Sequence, residues 1–429
     1  MDITALYQIF LGCTGITTDS RNCPEGSLFI ALKGDTFNGN AFAAKALEAG
    51  SAYAVVDEAA YAPAGDTRYI LVDNCLHTLQ QLANYHRRQL GTRIIGITGT
   101  NGKTTTKELI SAVLSQKYNV LYTLGNLNNP IGVPLTLLRL TTEHELGVVE
   151  MGASHPGDIK ELVEIAEPDY GIITNVGKAH LEGFGSFEGV IRTKGELYDY
   201  IRRSKGKIFI KKENEYLQSI AKGIEQITYG NGDDAFASGQ VVSCDPFLVF
   251  NWKQQGKLHT VETHMIGSYN LDNVLAAVAV GRFFKIPAER ISRAIAAYEP
   301  TNNRSQFKKT DNNELIIDAY NANPSSMKVA LDNFITMPVQ PKAIILGDMR
   351  ELGPTSDELH AEVVEQIKKG QFDKVFLCGE HFSKVGKEFC PFATTEAMVE
   401  ELRKQPLKGY HILIKGSHSM GLEKLADIL

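Results

Sequence analysis

A short apolar strand that runs into a glycine-rich turn and out into a helix constrains this chain more than any other feature. Ile94, Ile95, Ile97 and Thr98 form the apolar run, and Leu109, Ile110, Val113 and Leu114 recur at helical spacing beyond it. Between them lies Gly99-Thr100-Asn101-Gly102-Lys103-Thr104-Thr105. Glycines let backbone N–H groups converge on one point, and the first helical turn adds positive potential there. Lys103 supplies a cation and Thr104 a hydroxyl suited to Mg²⁺. The segment therefore reads as a phosphate-binding loop. A strict G-x-x-x-x-G-K-T would need glycine at 97, where Ile97 stands, so the shorter G-T-x-G-K-T form applies. A chance glycine turn with a solvated lysine would explain neither flank.

Further apolar runs at 147–150 and 170–174 alternate with helical segments, the pattern of a parallel sheet covered on both faces. Ligands meet such sheets at the carboxyl ends of the strands. Glu150 stands at one such end, placed to hold Mg²⁺ against phosphates; the alternative is a strand-end carboxylate facing water. His180 follows the 170–174 run and suits a metal or a substrate oxygen, but on its own evidence a satisfied loop histidine is the stronger reading. Lys194, by spacing alone, is an exposed helical lysine. Asp318, Tyr320, Asn321 and Asn323 crowd a strand-to-helix turn, suited to ribose and peptide hydrogen bonds or to ordinary capping.

At about 150 residues per domain, 429 residues imply roughly three domains. Apolar runs at 27–32, 53–56 and 69–72 with an amphipathic stretch at 41–49 make a small N-terminal α/β module, assigned 1–77. A helix over 76–90 carries Leu79, Leu82, Ala83 and His86 at helical spacing and ends at Gly91. The central domain is assigned 78–300. In 301–429, strand-then-glycine units at 343–347, 374–379 and 411–416, separated by helices at 358–369 and 395–404, describe a Rossmann-like, doubly wound unit. The fold class is α/β throughout.

With 44 basic against 50 acidic residues, a net charge of −6 argues against a nucleic-acid-binding surface. The six cysteines form no C-x-x-C pair, so no zinc or redox motif is suggested. Residues 1–4 lack a secretory pattern, and the longest apolar stretch, near 274–280, is too short for a bilayer. A cytoplasmic location without membrane insertion is expected.

Together these segments resemble the Mur ligase family, cytosolic ATP-dependent ligases that build the peptidoglycan stem peptide. The likeness is carried by Asp19-Ser20-Arg21, the 27–32 run, the 99–105 loop, Asn126-Leu127-Asn128-Asn129-Pro130, Val149-Glu150-Met151-Gly152-Ala153 and Ala179-His180-Leu181-Glu182-Gly183. Tyr320-Asn321-Ala322-Asn323-Pro324, Gly347-Asp348-Met349 and Lys415-Gly416-Ser417 complete it. The resemblance implies that the first domain holds a uridine nucleotide, the central one ATP and Mg²⁺, and the last the incoming acceptor. UDP-N-acetylmuramoyl-tripeptide and D-alanyl-D-alanine are the implied substrates, and a monomer the implied state.

Residue by residue, the resemblance gives Lys103, His180, Lys194 and Arg304 catalytic roles. Gly99 to Thr105, Asn270, Asn273, Arg304 and Asp318 would bind ATP. Ser20, Arg21, Asn126, Asn128, Asn129, Tyr320, Asn321, Asn323, Lys415 and Ser417 would bind substrate. Thr104, Glu150, His180 and Lys194 would serve two Mg²⁺ ions, Lys194 as a carbamate. Two departures stand out: Asn38-Gly39-Asn40 where the family commonly has Asp-Gly-His, and His418 where it often has arginine. The implied reaction passes through an acyl phosphate, with domain closure to exclude water. A sibling ligase that adds one amino acid, and a nucleotide-switch or transport ATPase, are the rival readings.

Overall fold

The computed structural model describes residues 2–301 and 303–429. Its first unit is a four-stranded parallel sheet in chain order, Ile16–Thr17, Leu28–Ile30, Tyr53–Val56 and Tyr69–Leu71. The helix Cys75–Leu90 starts where the Asn74 side chain accepts from the His77 amide, and stops at Gly91, whose φ of 65° only glycine adopts readily. Its apolar face, Leu79, Leu82 and Ala83, is fully buried. His86 on the same face bonds the Tyr7 hydroxyl at 3.2 Å and the Leu140 carbonyl at 2.9 Å. The helix is thus shared between the first sheet and the central unit, and the expected 77/78 division falls within it.

The central sheet has nine strands. In spatial order they are Val120–Tyr122, Leu146–Glu150, Arg93–Thr98, Tyr170–Ile173, Lys207–Lys211, Glu225–Gly230, Ala237–Cys244, Phe247–Gln254 and Lys257–Ile266. Neighbours as far as Ala237–Cys244 are parallel, and the last two pairings are antiparallel. Leu146–Glu150, Arg93–Thr98 and Tyr170–Ile173 are largely apolar and buried, as helices covering both faces of a parallel sheet require. Arg93–Thr98 lies between strands that follow it on opposite sides, a topological switch point. Ile97 pairs with Glu150 and Thr98 with Ile173, so the three carboxyl ends finish level and the 99–105 loop leaves from their shared edge. The antiparallel extension is an addition to the expected parallel sheet. Leu248, Phe250 and Trp252 point inward from it on alternate positions, each fully buried.

The C-terminal sheet runs Gln306–Lys309, Glu314–Asp318, His411–Lys415, Lys342–Gly347 and Lys374–Cys378. Its first strand is antiparallel and the other four parallel: the three expected strand-then-glycine units, the strand expected before the Asp318 turn, and one antiparallel edge besides. Asp318 and Leu346 both pair with Lys415, so these strand ends also finish level, facing the central unit. Among the described residues no helix is long and apolar enough to cross a membrane.

Candidate active site

The loop is held open by glycine and by its neighbours. Gly99 has φ 143° and a Cβ there would lie 2.0 Å from Thr174 Oγ1; Gly102 has φ 79° and a Cβ there would lie 2.7 Å from Asn273 Oδ1. Any side chain would collide at either place. The Asn101 amide donates to Asn175 Oδ1 at 3.0 Å, and the Thr174 hydroxyl donates to the Asn101 carbonyl at 2.6 Å. The Thr100 hydroxyl accepts from the Gly177 amide at 3.0 Å. Thr106 donates to Asn273 Oδ1, and Asn273 in turn to Asn270 Oδ1, so both asparagines sit against the loop. Thr105 lines the cleft in front of it.

Lys103 folds back over the loop, donating to the carbonyls of Gly99 at 2.8 Å and Thr100 at 3.0 Å. Burial is the main cause lowering its pKa; Glu150 opposes this, and Arg304 adds to it. Glu150 does not face water. It is 1% exposed, accepting from the Thr104 hydroxyl at 3.0 Å and Asn128 Nδ2 at 2.8 Å. Thr104 and Glu150 therefore present paired oxygen donors directly behind a phosphate-type loop, the donor chemistry Mg²⁺ takes when phosphates and water complete its shell.

Lys194 is not a solvated helical lysine. It is 2% exposed, with Nζ 3.4 Å from the Ala153 carbonyl and 5.3 Å from the centre of the Phe184 ring. Burial first, then the charge of Lys103, push its ammonium well below the usual lysine range. The His180 imidazole is also lowered, chiefly by burial, while the adjoining Glu351 carboxylate works in the opposite sense. His180 has φ 49°, a left-handed conformation, and its Nδ1 contacts the Glu351 carboxylate of the C-terminal unit. As it stands, Lys194 carries no oxygen donor, so it fits a metal shell only once carbamylated.

From the opposite wall Arg304 lies over the Tyr320 ring at 3.8 Å, and its buried Nε has no hydrogen-bond partner among the described residues. Lys415, 1% exposed, donates to Asp318 at 2.5 Å and to the Asn321 carbonyl at 3.1 Å. Asn323 caps the helix Pro324–Thr336 through its reciprocal bonds with Ser326. A cleft of about 780 Å³ runs between the two walls. It gathers Thr100 to Lys103 and Thr105 of the loop with Asn128, Asn129, Glu150, His180, Asn270, Asn273, Arg304, Asp318, Tyr320, Asn321 and Lys415.

The remaining expected residues lie elsewhere. Gly99, Thr104 and Lys194 sit behind the cleft surface. Asn323 and Ser417 line a smaller cavity beside it, and Asn126 is an exposed loop residue. Ser20 and Arg21 belong to the first unit, Arg21 pairing with Asp19 at 2.8 Å. There Asn40 clasps Asp57, donating to its carboxylate at 2.8 Å and accepting from its amide at 2.9 Å, so the departure at 40 leaves no buried group unpaired. His418 stacks on Tyr320 with centroids 5.6 Å apart. The sequence reading missed Glu351 and Arg350. Their signal was position, directly after the strand end and Gly347-Asp348-Met349.

A phosphate loop at a switch point, faced across a cleft by a second α/β unit that contributes Arg304, Asp318 and Lys415, defines a multi-domain enzyme of the P-loop class. The chain belongs to the Mur ligase family. Residues 97–281 match the Mur ligase middle domain, 303–418 the Mur ligase glutamate ligase domain, and 13–87 the Mur ligase family catalytic domain. The UDP-N-acetylmuramoyl-tripeptide–D-alanyl-D-alanine ligase of Bacillus subtilis is 36% identical over 97% of this chain and 93% of its own length. The ligase of the same name from Escherichia coli is 32% identical over 96% and 93%. Among solved structures, MurF from Acinetobacter baumannii superposes with a TM-score of 0.88 at 28% identity, covering 99% of this chain and 98% of its own. MurF ligase from Thermotoga maritima, in complex with ADP, gives 0.86 at 26%, covering 98% and 97%.

Proposed function

We propose that this chain is an ATP-dependent ligase that joins D-alanyl-D-alanine to UDP-N-acetylmuramoyl-tripeptide, yielding the pentapeptide, ADP and phosphate. The observation that carries the reading is similarity across nearly the whole chain to ligases of that name, together with a cleft whose two walls bring a phosphate loop and a set of basic groups to one place. The domains would divide the work as the family resemblance implies: 1–77 for the uridine nucleotide, 78–300 for ATP, 301–429 for the acceptor.

A carboxylate does not form an amide with an amine at neutral pH without a better leaving group. The terminal carboxylate of the tripeptide attacks the γ-phosphorus of ATP and ADP departs; the amine of the dipeptide then attacks the acyl carbon, and inorganic phosphate leaves as the amine loses its protons. Two anions meet in the first step, so charge neutralisation and in-line positioning carry the burden. Lys103 swings from the Gly99 and Thr100 carbonyls onto the phosphates, and Arg304 approaches from the opposite wall. Asn270, Asn273 and Asp318 orient the nucleoside, while Asn128 and Asn129 face the tripeptide. Thr104 and Glu150 would hold Mg²⁺, which would supply neutralisation of phosphate charge, and His180 with a carbamylated Lys194 would hold a second ion. The C-terminal unit closing on the loop keeps water from the acyl phosphate. The enzyme works as a cytoplasmic monomer.

The deciding experiment measures ADP release with UDP-N-acetylmuramoyl-tripeptide and ATP, comparing D-alanyl-D-alanine with single amino acids. Release that depends on the dipeptide, with a pentapeptide product by mass, supports the reading. Release with a single amino acid makes the chain a sibling ligase, and release with no acceptor a different ATPase.

A further inference from the structure

Lys107 stands one turn into the helix Lys103–Leu114, on the same face as Thr104, and is 1% exposed. A lysine is rarely buried to this extent unless its ammonium is partnered. Its Nζ donates to the Thr123 carbonyl at 2.9 Å and lies 3.5 Å from Glu108 Oε1, while the Tyr298 hydroxyl donates to the other Glu108 oxygen at 2.7 Å.

The carbonyl that Lys107 holds belongs to a residue bonded to Glu150. Thr123, fully buried directly after the strand Val120–Tyr122, accepts the Glu150 amide on Oγ1 at 3.0 Å. Five residues on, Asn128 donates from Nδ2 to the Glu150 carboxylate at 2.8 Å and accepts the Gly152 amide on its carbonyl at 2.7 Å. The 123–128 segment therefore grips Glu150 by both backbone and side chain. Thr104 closes the circuit, donating to the same carboxylate at 3.0 Å from the helix that carries Lys107. One helix face thus supports the carboxylate twice, Thr104 directly and Lys107 through the segment behind it.

We propose that Lys107 is a positioning residue for the Thr104–Glu150 oxygen pair: by anchoring Thr123 it sets how Glu150 meets a divalent cation beside the phosphate loop. The proposal rests on the ligase reading above for the use of Mg²⁺ with nucleotide. Lys107 is buried behind the cleft, so it acts through the residues it holds. Without its ammonium the Thr123 carbonyl loses a buried donor, and the frame around Glu150 loosens. Partners that orient metal ligands in this way set metal affinity by roughly 10- to 100-fold.

The test is calorimetric ADP binding to the full-length wild type, Lys107→Met and Thr123→Val, without Mg²⁺ and at rising Mg²⁺ concentrations, beside thermal melts. Lys107→Met keeps an unbranched chain in the same space. It should bind ADP without Mg²⁺ as the wild type does, while the half-saturating Mg²⁺ concentration rises roughly 10- to 100-fold. Thr123→Val keeps the carbonyl that Lys107 holds but removes the acceptor of the Glu150 amide, and should shift the Mg²⁺ requirement in the same direction. The two substitutions together should cost less than the product of their separate effects, because they break one path. If Lys107→Met weakens ADP binding equally at every Mg²⁺ concentration, or lowers the melting temperature with the Mg²⁺ requirement unchanged, Lys107 only packs and the proposal falls. Should Lys107→Met fail to fold, a wild-type Mg²⁺ requirement in Thr123→Val overturns the path. ADP and Mg²⁺ are the only ligands used, so the result stands whichever acceptor the enzyme takes. A wild type that binds ADP without regard to Mg²⁺ overturns the proposal even where dipeptide ligation holds.

Discussion

Asn323 of the C-terminal unit donates its side-chain amide to the Oδ1 of Asn101 in the phosphate loop at 2.8 Å, and the reverse contact measures 3.4 Å. One amide pair therefore ties the loop that would meet ATP to the helix cap of the unit that would bring the acceptor. Asn323→Ser keeps an N-cap residue but loses the reach to Asn101. It should leave the melting temperature nearly unchanged while lowering kcat/KM for ATP by roughly 3- to 10-fold, the scale of one neutral hydrogen bond. Asn323→Ala should lose about 1 kcal/mol of stability as well. Thermal melts beside ADP-release kinetics separate the two effects, and unchanged kinetics in Asn323→Ser would remove the amide pair from the mechanism.

Lys103→Ala should reduce turnover by at least about 100-fold, the cost of losing one preorganised charge at a developing anion. The native fold should persist, because among the described residues Lys103 bonds only the Gly99 and Thr100 carbonyls of its own loop. Circular dichroism with steady-state ADP release checks both halves.

The phosphate loop was legible because its pattern is local: strand, glycines and helix lie within about twenty residues, and each glycine is required by a backbone geometry. Apolar runs likewise located Leu146–Glu150, Tyr170–Ile173 and Lys342–Gly347 to within a residue, whereas the parallel strands Val120–Tyr122, Lys207–Lys211, Glu225–Gly230 and Ala237–Cys244 were not assigned. The antiparallel extension was not foreseen, although Leu248, Phe250 and Trp252 alternate cleanly, because a strand of that kind adds to a parallel sheet only through tertiary pairing. Lys194 looked like a solvated lysine because nothing in a helical repeat shows that Phe184 and Ala153 will cover it. Glu351 and Arg350 meet neighbours far away in sequence, Glu351 meeting His180 across the two units and Arg350 meeting Ser417 within the C-terminal unit, and such contacts exist only once the chain has folded.

Stability should fall in mild acid. The Leu140 carbonyl can only accept, so His86 Nε2 carries its proton and Nδ1 accepts from the Tyr7 hydroxyl. His360 is fixed in the other tautomer, since the Met349 amide donates to Nε2 and Nδ1 faces the Ser356 carbonyl. Burial holds both imidazoles below their ordinary value of 6.5. The unfolded chain therefore takes up protons first, and folding stability declines as pH drops below about 6.5 toward the lowered native values. His86→Gln retains one donor and one acceptor without a titrating group, so its urea midpoint should change less between about pH 7.5 and about pH 5.5 than that of the wild type. Equal changes in the two proteins would exclude His86 as a source.

Lys194 carries the sharpest chemical expectation. Its amine is buried, has no carboxylate within ion-pair distance among the described residues, and lies in the field of Lys103, so the neutral form is favoured. A neutral amine is what adds CO₂, the nitrogen bonding to the carbon while one N–H proton leaves for solvent and an anionic carbamate remains. That change would turn a site with a suppressed cation into one with oxygen donors next to His180, the ligand type Mg²⁺ takes. Wild-type ADP release should accordingly fall when CO₂ is stripped from the buffer and recover on adding bicarbonate. Lys194→Ala should lose at least about 100-fold in turnover, and short carboxylic acids should restore part of it by filling the vacated space with an anion. A wild-type enzyme indifferent to CO₂, paired with an Ala variant that no carboxylate rescues, would leave Lys194 as a packing residue under the Phe184 ring.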